Sequence, residues 1–272
     1  VKIEDSTLVF PLEAMKTSDN NRGSNIVSLI IYSKDTKNWT LSKGMSADGC
    51  GDPSVVEWKD KLMMMTACVD GRRRVYESGD KGESWAEALG TLSRVWSNNL
   101  RDDTRRVRSG FTTATIDGVD DNRIVMLVTL PVYPEDKLKG VIHLWLTDNT
   151  HIVDIGPVSG EDKEEITASS LLYKSGEDNN NEELIALYEK RKVGEETSSG
   201  MVSVRLTAEL QRVKDVLKTW KEVDVRVSKL CPSQSHAGDR PTVTPCSSNF
   251  NITDGLVGFF SDNFFGKTWK DE

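Results

Sequence analysis

An all-β chain with one late helix is predicted by three observations. Apolar runs of about five to seven residues, bounded by Gly, Asp, Asn or Pro, recur over most of the first 206 residues. The stretch Ser78-Gly79-Asp80-Lys81-Gly82-Glu83-Ser84-Trp85 fits the pattern S-x-D-x-G-x-[ST]-W and follows the strand-like Arg74-Val75-Tyr76-Glu77. Near Thr207 the apolar spacing changes to that of a helix.

The elements are taken in chain order. Residues 7–15 and 26–32 are apolar on either side of a polar turn and predict a hairpin. Ser33-Lys34-Asp35 leads to Trp39 and reads as a worn copy of the Asp80 pattern, one residue short and without its glycine. Trp39 and Trp85 are 46 residues apart, about one blade of a β-propeller. Such strand–turn–strand units, repeated around an axis, build that architecture. In each unit the aspartate accepts hydrogen bonds within the turn. The glycine takes a backbone angle that other residues resist, and the tryptophan buries its ring between sheets. Further strands are predicted at Ser54–Trp58, Leu62–Thr66, Phe111–Ile116, Ile124–Thr129, Ile142–Thr147, Ser169–Tyr173, Leu184–Glu189 and Met201–Leu206. Leu210, Val213, Val216, Leu217 and Trp220 then share a helical face, opposite Glu209, Arg212, Lys214, Asp215 and Lys218. A helix beginning at Thr207 as N-cap and running to about Lys229 follows, and its place after a run of strands suggests a link between domains. The run Gly255–Phe260 is β-like again.

Bulk properties narrow the function. A net charge of −8 disfavours a nucleic-acid partner, since the basic groups Arg72–Arg74 and Arg105, Arg106 and Arg108 are small and read as solvated. No apolar run reaches the roughly 20 residues that span a membrane. The opening Val1-Lys2-Ile3-Glu4 is neither an initiator nor a signal peptide, so the chain reads as a processed or excised piece. Cys231 and Cys246 flank a Pro/Ser-rich loop and predict a disulfide; pairing of Cys50 with Cys68 is left open. Without a C-x-x-C pair, and with His143, His151 and His236 scattered, no zinc site or other cofactor is expected. The sequons at Asn38 and Asn251 join the disulfide in favouring a secretory route.

With the Asp80 box, the cysteines and the helix in view, the chain resembles the trypanosome trans-sialidase superfamily. The most specific segments are Arg72–Ser78 through Gly90–Trp96, Leu144-Trp145-Leu146-Thr147-Asp148-Asn149, and Gly255-Leu256-Val257-Gly258-Phe259. The resemblance implies the later part of a six-bladed sialidase propeller over residues 1–206. It implies a linker helix over 207–230 and the opening strands of a lectin-like β-sandwich over 231–272. The earlier part of the propeller, with the first arginine of the carboxylate clamp and the acid/base aspartate, would lie outside this chain.

Sialidases bind a sugar carboxylate with three arginines and attack with a tyrosine that a glutamate deprotonates. Mapped by resemblance, the glutamate position is Asp52, one methylene shorter; the second arginine position, after Thr66, is Ala67. The third arginine position is Lys139, which keeps charge but not the planar fork; the acceptor-platform aromatic, two residues earlier, is Lys137. The nucleophile, which directly precedes Ser169-Ser170-Leu171-Leu172-Tyr173, is Ala168. Glu189 matches the glutamate that orients the first arginine. The resemblance therefore implies the inactive branch of the superfamily: a surface or secreted glycoprotein, GPI-anchored in full-length relatives. Members of that branch adhere to host cells and matrix and meet host immunity. Host cell-surface and extracellular-matrix glycoproteins, and sialoglycans, are the expected partners. The competing expectations are an exo-α-sialidase or trans-sialidase, and a sialic-acid-binding lectin.

Overall fold

Sixteen strands and one long helix, in chain order, make up the described part of the protein. The computed structural model describes residues 1–16, 26–88, 92, 107–116, 118, 123–132, 141–158, 165–176, 182–192, 198–230, 260–265 and 268–271. Two compact units are present, Val1–Leu217 and Lys218–Glu272.

The first unit is a series of antiparallel meanders. Strands β1 (Leu8–Met15), β2 (Ile26–Ser33) and β3 (Thr40–Leu41) form the first sheet. The second holds β4 (Cys50–Trp58), β5 (Lys61–Cys68), β6 (Arg73–Ser78) and β7 (Ala86–Glu87). The third holds β8 (Phe111–Ile116), β9 (Arg123–Val132), β10 (Val141–Thr147) and β11 (Ile152–Pro157). The fourth holds β12 (Glu165–Lys174), β13 (Glu183–Lys192) and β14 (Ser198–Arg205). Consecutive sheets meet through their first strands, β1 on β4, β4 on β8, and β8 on β12.

The core lies between the sheets. Val9, Ile30, Val55, Leu62, Met64 and Tyr76 fill the space between the first and second sheets. Val56, Met63, Met65, Phe111, Met126 and Val128 fill that between the second and third. Alternation along β5 sends Leu62 and Met64 one way and Met63 and Met65 the other, so the strand is buried on both faces and reads as a continuous apolar run. Each such side chain contributes about 1.5–3 kcal/mol on burial.

The Asp80 turn links β6 to β7. Asp80 accepts bonds from the Ser84 N–H (2.9 Å) and the Ser84 and Ser78 hydroxyls. Gly82 has φ +85°, and a Cβ there would stand 2.8 Å from Ile30 Cδ1, so both conformation and space require glycine. Trp85 packs against the core between the first two sheets. The Asp35 turn occupies the equivalent place between β2 and β3. Its carboxylate accepts from the Lys37 and Asn38 N–H groups (2.9 and 2.7 Å) and from Asn38 Nδ2 (2.6 Å). Trp39 is 43% exposed and leans on Phe10 with ring centroids 5.4 Å apart, so its ring is not the buried peg the sequence predicts. A third copy joins β10 to β11. Asp148 there accepts from the Thr150 and His151 N–H groups (2.9 and 2.7 Å) and from Arg123, and Ile152 packs on the core in the place of a tryptophan.

Helix α1 (Thr207–Leu230) begins within the first unit, where Leu210, Val213 and Leu217 are buried. Lys214 is ion-paired to Glu182, whose other oxygen meets the Tyr173 hydroxyl, and Arg212 bonds the Ile155 carbonyl. The second unit holds the rest of α1 and the hairpin of β15 (Phe260–Phe265) and β16 (Thr268–Asp271).

Candidate functional site

The sequence-derived positions that the structure describes lie on the second and fourth sheets. Asp52 sits near the start of β4, where the register with β5 shifts between Gly51 and Ser54. Its φ is +49°, in the left-handed region, and its N–H donates to Glu13 Oε2 (2.9 Å) from β1. Two residues earlier Cys50 is bonded to Cys68, directly opposite in register, so the pair left open by the sequence is a disulfide. Ala67 is buried on β5, opposite both Gly51 and Arg73. Ala168 lies on β12 after a register shift and faces Glu189 of β13. Lys137 and Lys139 lie outside the described residues, as do Cys231, Cys246 and Asn251. Asn38 is exposed, but its amide is engaged by Asp35 in the turn.

Three strand starts are knitted together at this end of the sheets. Ser54 Oγ donates to the Ser109 carbonyl (2.6 Å), tying β4 to the segment before β8. The Ser169 N–H donates to the Arg108 carbonyl (2.9 Å), and Arg108 and Ala168 form an isolated parallel bridge that ties the same segment to β12. Gly110 N–H donates to Thr129 Oγ1 (2.8 Å) and to Ser169 Oγ (3.2 Å), all buried. A Cβ on Gly110 would meet Thr129 Oγ1 at 2.6 Å and the Ser170 carbonyl carbon at 2.8 Å, so β8 and β12 approach this closely only across a glycine.

One arginine braces that segment from β6, and another extends from it toward β4. Arg73 donates to Ser109 Oγ (2.6 Å) and to the Val107 carbonyl (2.9 Å), so it is a half-buried brace and not the solvated residue expected from sequence. Arg108 is exposed and reaches the Pro53 carbonyl (3.3 Å), next to Asp52. Sequence reasoning passed over Arg108 as part of a charged loop. The signal that could have found it is its place two residues before Gly110 and β8, at a strand start like those of Asp52 and Ala168.

One tyrosine hydroxyl meets a carboxylate among the described residues. Tyr173 Oη lies 2.6 Å from both Glu182 Oε1 and the Thr115 carbonyl, and its single proton is shared between these acceptors. It is five residues beyond Ala168 on the same strand, about 16 Å at about 3.3 Å per residue. Strand alternation puts it on the other face from Ala168, with Ser169 and Leu171. Tyr173 therefore belongs to the far end of the sheets and anchors Glu182 beneath α1. A groove lined by Glu4, Asp5, Glu57, Asp60, Lys61 and Lys81 also lies at that far end of the second sheet, beside the Asp80 turn. Among the described residues no cluster of His, Cys, Asp and Glu could hold a metal ion, and no helix is long and apolar enough to cross a membrane.

Comparison with known proteins places this geometry. The family described as "BNR repeat-like domain" matches residues 1–189. Over its whole length the chain is 38% identical to "Sialidase 85-1.1" of Trypanosoma cruzi, of which it spans 32%. Over 80% of its length it is 36% identical to a "Sialidase" of the same organism, of which it spans 17%. Among solved structures, Trypanosoma rangeli sialidase superposes with a TM-score of 0.67 at 34% identity, covering 99% of this chain and 39% of that one. The same enzyme as the covalent intermediate with 2,3-difluorosialic acid gives a TM-score of 0.68 at 36% identity, with 99% and 39% covered.

Proposed function

The chain belongs to the BNR-repeat family and is a homologue of the trypanosome sialidases, and from that premise we propose that it comes from a non-catalytic member. In this reading the protein is a glycoprotein at the cell surface or secreted. It holds host cell-surface or matrix glycoproteins, including their sialoglycans, without cleaving them. The observation that carries the reading is Ala168. It stands directly opposite Glu189 on the start of β12, and its side chain is a methyl group. A methyl cannot attack an anomeric carbon, and loss of a nucleophile alone costs on the order of 10⁴–10⁶ in turnover.

Two further features support it. Asp52, where the resemblance puts the base that would activate the phenol, is one methylene short, and proton transfer needs contact of about 2.6–3.2 Å. Ala67 offers no donor to a carboxylate, and the arginine opposite it, Arg73, is committed to Ser109 and Val107. Residues 1–206 as a propeller segment, 207–230 as a linker helix and 231–272 as the start of a lectin-like domain remain part of the same proposal.

The enzyme alternative, an exo-α-sialidase or trans-sialidase, is tested directly. The full-length parent is incubated with a fluorogenic sialoside, alongside an Asp52→Asn variant. No release above blank is expected from either protein. Release from the parent that disappears in Asp52→Asn would establish a working site and end the non-catalytic reading.

A further inference from the structure

The joint between consecutive sheets has identifiable parts where the Asp80 turn meets the first sheet. The Trp85 ring lies against Gly44, where a Cβ would stand 2.9 Å from Trp85 Cδ1, and Gly82 sits over Ile30 Cδ1. The Gly44 N–H donates to the Gly82 carbonyl (3.0 Å). Beside this contact, Val9 and Ile30 of the first sheet pack on Val55, Leu62, Met64 and Tyr76 of the second. The joint thus takes a turn with its tryptophan and an apolar leading face from the later sheet. From the earlier sheet it takes an apolar trailing face.

The first sheet carries the later half of such a joint on its other side. Register places Phe10, Ile31 and Leu41 in one row across β1, β2 and β3, on the face turned away from Val9 and Ile30. Phe10 and Leu41 are exposed. The Asp35 turn, equivalent to the Asp80 turn, sets Trp39 against Phe10, and Trp39 is exposed where Trp85 is covered.

The fourth sheet carries the earlier half. Leu184, Ala186 and Tyr188 of β13 are buried, and Tyr173, opposite Leu184 in register, reaches the Thr115 carbonyl of the third sheet. The face turned away from them holds Leu172, Ile185, Leu187 and Met201. Leu172 and Met201 are 62% and 70% exposed. Ile185 and Leu187 lie on the middle strand of their sheet, as Ile30 lies on β2. Apolar side chains gathered on one face in this way differ from the scattered singles of an ordinary surface.

Both half-joints belong to the unit Val1–Leu217. Each joint within that unit pairs a trailing face with a leading face, so the two end faces complement each other and not themselves. We infer that the occupant of both is a second copy of this chain: the fourth sheet of one copy packs on the first sheet of the next, with Trp39 as the peg. Such a contact is heterologous, so it closes a ring where the rotation allows and otherwise builds an open chain. The inference stands apart from the non-catalytic reading, which concerns turnover.

The test is the mass of the 272-residue chain in solution, read by sedimentation velocity across the micromolar range. Concentration-dependent association of the parent chain is expected. Leu41→Lys blocks the leading face and Met201→Lys the trailing face. Each puts a charge inside an apolar contact and should weaken association at least about tenfold. Both side chains are exposed, so both variants should melt with the parent chain. The two variants are then mixed. Each offers the face that the other has lost, so a heterodimer that stops at two copies is expected. A parent chain that stays monomeric overturns the inference. Association that persists in either variant alone overturns it too, because pairing of like faces or unspecific aggregation would then be at work. A mixture that remains monomeric does the same.

Discussion

Replacing Cys50 and Cys68 together by alanine should cost the first unit about 3 kcal/mol. The two residues are 18 apart in sequence and pair across β4 and β5. Closing a loop of that length lowers the entropy of the unfolded chain by an amount worth about 3 kcal/mol at 25 °C. Both side chains are buried, at 1% and 6% exposure, so the alanines also lose a little packing and the estimate is a floor. For a domain of this size, 1 kcal/mol moves the midpoint by about 2–4 °C, so a drop of roughly 6–12 °C is expected. The assay is thermal unfolding followed by circular dichroism, with urea midpoints as a second measure. The double variant is preferred to reductant, which would act on any other disulfide as well. A loss below about 1 kcal/mol would refute the reasoning, because the bridge would then be constraining a segment already ordered in the unfolded chain.

Two other outcomes follow from the turns and from the strand junction. The Ser84 hydroxyl, then the Ser84 N–H and the Ser78 hydroxyl, hold Asp80 at about 2; the Asn38 N–H and side chain, then the Lys37 N–H, hold Asp35 at about 2. A lowered folded-state value means a contribution present in full above the ordinary carboxylate range near 3.8 and lost as pH falls through about 2. Urea midpoints from pH 5 downward should therefore decline more steeply for the parent chain than for Asp35→Asn/Asp80→Asn, and parallel curves would count against it. Gly110→Ala should destabilise the first unit by about 1–3 kcal/mol, since its methyl would meet backbone atoms of Ser170 and Leu171 below 3.0 Å; an unchanged urea midpoint would show that β8 and β12 can separate freely.

The fold was legible where burial dictates residue type. β5 and β9 are apolar along their length because both faces are covered, and β4, β8 and β10 each follow a glycine in sequence, Gly49, Gly110 and Gly140. Of the last strands of the four sheets, β14 was legible and β3, β7 and β11 were not. β3 and β7 are two residues long, and β11 contains Asp154 and Gly156, so none shows an alternating pattern. The Asp148 turn was invisible for a related reason. Its carboxylate does the same work as that of Asp80, but the glycine and the tryptophan that make the pattern searchable are replaced, with Ile152 in the packing position. Sequence spacing likewise could not decide the Cys50–Cys68 pair, which depends on strand register. Nor could it separate Arg73 from Arg108. Both sit in clusters of arginine, and only the approach of the β8 segment makes one a brace and leaves the other reaching outward.

On the non-catalytic reading, the same junction explains how the scaffold can persist while its chemistry changes. The bonds that hold the starts of β4, β8 and β12 together come from Ser54, Arg73, Ser109, Gly110, Thr129 and Ser169. Neither Ala67 nor Ala168 supplies a side-chain group to that lattice, because a methyl has none to give, and the Asp52 N–H donates to Glu13. In that reading the alanines at the altered positions and the side chains that fix the strand starts are separate sets of residues. A change at Ala67 or Ala168 removes no bond of that lattice, so on this reading stability exerts little restoring force on those two positions. What holds these strand starts in place is a buried lattice of hydroxyl, guanidinium and backbone hydrogen bonds.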